Sequence, residues 1–165
     1  MTPNFIILFA AAVIPLALST VWYSPLLFGG DNWNRLAHIP EEKSVSLPIW
    51  KSMISLVFNF MIACGLYGLC VHQSGVYSLV GANAELLKTG IGISFMDIYG
   101  KDFLTFQHGV FHAILASIMF VFPMLMYITI FERKGARYFW VNFTFWVLSM
   151  GLMGGVIGMC GAMPV

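Results

Sequence analysis

His108 and His112 are the residues of this chain best equipped for chemistry. Spaced four apart, they share one face of a helix, where two imidazoles can address one metal ion or one haem iron. Their ordinary titration range also suits a proton-responsive pair. His72, at the end of an earlier apolar run, can approach them. Met159, Cys160 and Met163 fall at the same depth near the C-terminus, and soft sulfur beside imidazole favours copper. Against a metal site, the chain has no CxxC pair and no HExxH motif. Helical register also turns His72 away from the polar stripe of its own helix. The eleven methionines read as adaptable apolar filler. The residues therefore favour a hydrogen-bonded histidine pair over a copper or haem site on His72, His108 and His112, and no cofactor is expected.

The remaining polar candidates are amides. Ser52, Ser55, Asn59 and Ala63 recur at spacings of three and four, so they form one face of a helix. Asn59 is the most polar of them, and an interhelical hydrogen bond is its simplest role. Asn142 lies in the last apolar run. If the chain moved a small solute, Asn59, His108, His112 and Asn142 would line the path. No Ser-His-Asp spacing, phosphate loop or pair of intramembrane carboxylates is present, so the reading leans away from an enzyme. No acidic residue lies deep in an apolar run, which argues against a proton-coupled pump of the usual kind. Cys64, Cys70 and Cys160 make no disulfide framework or metal-type pair.

These side chains are carried by four long apolar stretches, residues 3–28, 50–72, 104–131 and 138–162. Each exceeds or approaches the roughly 20 residues a helix needs to cross a bilayer. Charged residues make only 9 % of the chain, against 59 % hydrophobic, whereas soluble domains carry about 25 % charged residues. The charges are confined to blocks at 31–51, 85–102 and 132–137. The expected fold is all-α: a four-transmembrane-helix bundle forming one integral membrane domain over residues 1–165, in contact with the lipid bilayer. A net charge of +1 gives no reason to invoke nucleic acid. The N-terminal run lacks a basic leader region and reads as a retained first helix.

Basic residues set the orientation. Arg35, Lys43, Lys51, Arg133, Lys134 and Arg137 lie on one side of the predicted bundle, and only Lys88 and Lys101 on the other. Both termini and the 73–103 segment are therefore expected outside the cytoplasm.

Local signals refine the spans. Pro15 interrupts the first helix, with Ser19 or Thr20 placed to restore part of the lost bonding. The run Trp22-Tyr23-Ser24-Pro25 carries interfacial aromatics and ends in a helix breaker. A short interfacial helix is expected over 31–39, and Leu47-Pro48 restarts the chain. In the 73–103 segment only Ala82 to Thr89 reads as helical. Pro123 kinks the third span. In the fourth, Gly151, Gly154, Gly155, Gly158 and Gly161 cluster on one face and invite close helix packing. The opposite face carries Asn142, Trp146, Ser149, Met153 and Cys160, so one of the two is a candidate subunit interface.

Several of these pieces coincide with a known pattern. Trp22-Tyr23-Ser24-Pro25 with Phe28-Gly29 and Trp33, then His108-Gly109, Pro123, Phe131-Glu132-Arg133, Asn142 and the glycine-rich end, span nearly the whole chain. Together they resemble the domain-of-unknown-function family seventeen-sixty-one (DUF1761), whose members are small, mostly bacterial, four-helix membrane proteins. The resemblance implies a fold and a bacterial inner-membrane location, and it implies no reaction. It covers His108 but not His112.

The function expected from the sequence is a non-enzymatic membrane component. It would self-associate through the glycine face, or serve as an accessory subunit of a larger membrane assembly. A small-solute transporter or channel is the first alternative, and a metal- or haem-binding redox protein using the histidine cluster is the second.

Overall fold

The computed structural model describes residues 2–29, 31–39 and 49–163. Gly30, Lys43 and the Leu47-Pro48 restart lie outside them. The elements in chain order are β1 (Thr2–Pro3), α1 (Phe5–Trp22), α2 (Asp31–Ala37), α3 (Ile49–Cys70), α4 (Gln73–Leu79), a 3-10 turn (Ala84–Lys88), α5 (Gly90–Tyr99), α6 (Phe106–Ala116), a π turn (Ser117–Val121), α7 (Phe122–Phe131), α8 (Ala136–Cys160) and β2 (Ala162–Met163). Four helices are long and apolar enough to cross a membrane: α1, α3, the continuous Phe106–Phe131 and α8. Their outward faces present side chains such as Phe58, Phe111, Met119 and Ile130, which only hydrocarbon solvates without cost.

The first span stops at Trp22, because residues 23–28 form turns around Pro25. Asn4 caps its start, its Oδ1 accepting from the Ile7 N–H. Pro15 leaves the Ala11 carbonyl without its usual donor. Ser19 and Thr20 do not reach that carbonyl. Their hydroxyls donate to Leu16 and Ala17 at 2.7 Å each.

Pro123 is absorbed differently. The proline ring would strike the carbonyl four residues back, that of Met119. The wider π turn over Ser117–Val121 removes this clash, and the span continues to Phe131 without a break. At its end the Lys134 N–H donates to the Thr129 carbonyl at 2.9 Å. Arg133 sits at φ +54° in the left-handed position usually given to glycine. The Phe131-Glu132-Arg133 motif is thus a helix stop, with Glu132 and Arg133 exposed.

Helix α8 is the centre of the bundle: 56 % of its apolar window is buried, against 17–28 % for the other spans. Its principal partner is α6. Gly154 and Gly158 meet Gly109 backbone to backbone. A methyl group on Gly158 would lie 2.8 Å from Gly109 Cα and 2.9 Å from the Thr105 carbonyl oxygen. Lipid supplies no hydrophobic drive between helices, so this close van der Waals approach is what holds the pair. All five glycines of the face are buried. The face expected to carry self-association is packed against α6 of the same chain. The opposite face is covered too, with Ser149 and Met153 fully buried. Leu8, Ala63, Leu66, Ala113, Met153 and Ile157 form the apolar core between the helices.

The two short strands pair antiparallel, Thr2 with Met163 and Pro3 with Ala162, and the Asn4 N–H donates to the Gly161 carbonyl at 2.7 Å. These bonds place β1 and β2 at one end of the bundle, where Gly158 also meets the Thr105 carbonyl at the start of α6. The 73–103 segment departs from the sequence expectation. It is largely helical, with α4 and α5 flanking the 3-10 turn at 84–88. Gly81, Gly90 and Gly100 sit at helix boundaries there. Gly81 and Gly90 adopt φ +63° and +52°, conformations that L side chains resist.

Candidate metal centre

Three histidines converge at the end of the bundle that carries both strands. His72 follows the last turn of α3, just before α4, and His108 and His112 occupy successive turns of α6. Thr105 caps α6, its Oγ1 accepting from the His108 N–H at 3.2 Å. This cap fixes where the helix begins and hence the direction of both imidazoles. His72 Nε2 and His108 Nε2 lie 2.9 Å apart, so one ring donates and the other accepts. The ligating nitrogens of His72, His108 and His112 all fall within 4.8 Å of one another. The ring centroids are 4.9 Å apart for His72 with either partner and 4.4 Å for His108 with His112. His72 is exposed and the other two half-buried, so an ion has an entry path.

The surrounding loop is braced against this cluster. Phe103 packs over His108 at 5.1 Å between centroids and over His72 at 6.2 Å. Its φ of +61° is a genuine outlier for a bulky residue. Gln73 holds the loop that imposes it. The Gln73 side chain is buried, and its Nε2 donates to the Tyr99 and Asp102 carbonyls at 3.0 and 2.9 Å. Its Oε1 has no partner among the described residues. Beside the cluster, His72, Gln73, Phe95, Tyr99 and Phe103 line a cavity of about 240 Å³. Strain stored next to a polar cluster is a recurrent mark of binding sites.

Cys160 is not among the clustered donors, and nothing is described of the Met163 side chain. The Cys70 thiol donates to the Gly109 carbonyl at 3.5 Å. Among the described histidines, cysteines and carboxylates, the clustered donors are three imidazoles, and neither Cys70 nor Cys160 is one of them.

The amide candidates stand elsewhere. Tyr23 Oη donates to Asn142 Oδ1 at 3.0 Å, and Asn142 Nδ2 donates to the Tyr138 carbonyl at 2.8 Å. Trp22 Nε1 donates to the Val141 carbonyl at 3.1 Å, while Trp33 stacks on Tyr138. The Trp22-Tyr23-Ser24-Pro25 motif is thus a clasp between α1 and α8. Burial, with a smaller contribution from Tyr138, pushes the Tyr23 phenol well above its ordinary range, so it stays a donor. Asn59 faces a separate cavity near this clasp. Between Asn59 and the histidines lies the apolar core of Ala63, Leu66, Ala113 and Met153. The described residues bring His72, His108 and His112 together, and join neither Asn59 nor Asn142 to them.

Gln73, Phe103 and Thr105 belong to the site and were not anticipated. Thr105 left a signal, a capping residue three positions before His108. Gln73 and Phe103 left none, since their roles depend on a loop folding back.

The model of a family described as "Protein of unknown function (DUF1761)" matches residues 6–158. No curated protein and no solved structure matches the chain.

Proposed function

The chain belongs to the DUF1761 family, whose function is unknown, and we propose that it is a membrane protein holding one divalent transition-metal ion, of zinc type, on His72, His108 and His112. The single observation that carries this reading is the convergence of three ligating nitrogens within 4.8 Å, from a helix end and two turns of another helix. A tetrahedral ion with bonds of roughly 2.0–2.1 Å sets its nitrogen ligands roughly 3.3 Å apart. The present nitrogens, 2.9 Å apart for His72 and His108 and all within 4.8 Å, bracket that spacing. Three imidazoles leave a fourth position open for water or a ligand. Three imidazoles suit zinc, and Cu²⁺ competes by intrinsic affinity. The close ring packing leaves no slot for a porphyrin, which speaks against haem.

The bias of basic residues supports a reading in which this end of the bundle lies outside the cytoplasm of a bacterial inner membrane. Self-association or accessory-subunit roles lose their main support, because α6 occupies the glycine face.

The test is metal analysis of the purified chain in a bilayer mimic, after titration with Zn²⁺ or Cu²⁺. One equivalent per chain is expected, lost in His72→Ala and in His108→Ala while helicity is retained. A wild-type chain that binds neither ion, or variants that keep the ion, would sink the proposal. In the latter cases, solute flux in vesicles would bring the transporter reading forward.

A further inference from the structure

The bundle holds a second candidate site across the apolar core from the histidines. Asn59 lies about halfway along α3 and is 5 % exposed. Its amide makes no hydrogen bond to any described residue, and it lines a cavity of about 340 Å³ between α1, α3 and α8. That volume falls in the range of roughly 300–1,000 Å³ typical of small-molecule sites. An amide left without a partner in a membrane span is costly unless something enters to meet it.

The walls specify what enters. Among the described residues no charged side chain lines the cavity, so against these walls a charged ligand would be desolvated without compensation. The hydroxyls of Ser19 and Ser55 donate to their own helix at Leu16 and Lys51, leaving oxygen lone pairs toward the space. Asn59 therefore supplies a free donor together with a free acceptor, with the Ser52 hydroxyl also on the cavity wall. Phe58 and Trp146 provide aromatic walls, which favour a flat ring over a flexible chain. Phe58 and Ser55 are exposed on the outside of a membrane-spanning helix, so the cavity opens sideways into hydrocarbon.

We infer that this cavity binds the ring of a quinone-class amphiphile taken from the bilayer, with Asn59 bonding a ring carbonyl and the apolar tail remaining in lipid. The site is independent of the histidine cluster.

The test is titration of the purified wild-type chain in nanodiscs with a short-chain benzoquinone, following binding by quenching of tryptophan fluorescence. Saturable binding at one quinone per chain is expected, weakened at least tenfold by Asn59→Leu. Ser55→Phe, placed at the exposed mouth, should block the cavity with the same loss, and it carries the test if Asn59→Leu fails to fold. Metal content should be unchanged in both variants. Non-saturable quenching, or binding that Ser55→Phe leaves unaltered, would overturn the inference. So would equal competition by a diacylglycerol, which would make the cavity a groove for neutral lipid instead.

Discussion

His72 Nε2 lies 2.9 Å from His108 Nε2, although the two residues are 36 positions apart, one just past the end of α3 and the other in α6. The contact exists because Gly109 lets α6 seat deeply on α8, while the end of α3 packs against the same turn through Cys70 and Gly109. His112 then follows one turn further along α6.

Metal binding should couple to stability. An ion bound only by the folded chain stabilises it by about 2.7 kcal/mol at one hundred times its Kd. Zn²⁺ should therefore raise the Tm of the wild type and leave His108→Ala unmoved in a thermal melt. Protons compete with the ion for imidazole, so the Zn²⁺-dependent gain should shrink on acidification and return at neutral pH. A Tm shift of equal size in His108→Ala would show that the ion acts elsewhere.

The α6–α8 contact should tolerate no added bulk. Gly158→Leu and Gly154→Leu should each lower stability by about 3 kcal/mol or more, since overpacking usually costs about 1–3 kcal/mol and here the obstacle is backbone. Leu152→Phe, on an exposed face of the same helix, should stay within about 0.5 kcal/mol. Unfolding in a denaturing-detergent series would distinguish these, and three equal midpoints would refute the packing.

The aromatic clasp should behave as a coupled pair. Tyr23→Phe and Asn142→Ala each remove the 3.0 Å hydrogen bond between α1 and α8. Each should destabilise by about 1 kcal/mol. The double variant should cost less than the sum of the single losses. Strict additivity in a double-mutant cycle would mean that the contact contributes nothing.

Orientation is open to direct labelling. In a chain with Cys64, Cys70 and Cys160 replaced, a cysteine at Gly81 should react with an impermeant thiol reagent in intact cells, and one at Ala136 should not. The reverse pattern would invert the topology drawn from the six-to-two basic bias.

Much of the architecture was legible without coordinates. Hydropathy alone delimits segments long enough to span a bilayer, and Trp22 to Pro25 announces a helix end, because these signals depend on neighbours in the chain. The 73–103 segment was less legible. Its helices α4 and α5 are short and interleaved with glycine, so local propensity is weak until Gln73 bonds back to Tyr99 and Asp102.

The candidate site divides in the same way. The four-residue spacing of His108 and His112 places them on one helical face by covalent geometry, and the sequence alone determined that pairing. Whether His72 joined them was decided by tertiary structure. Helical register within α3 described its direction relative to Asn59, but His72 lies beyond the helix end, where the chain turns freely. The same holds for the glycine face. Composition declared it a contact, and only packing chose α6 of the same chain over a second copy. Periodicity is a property of one helix, whereas the choice of partner depends on the competing surfaces of all of them.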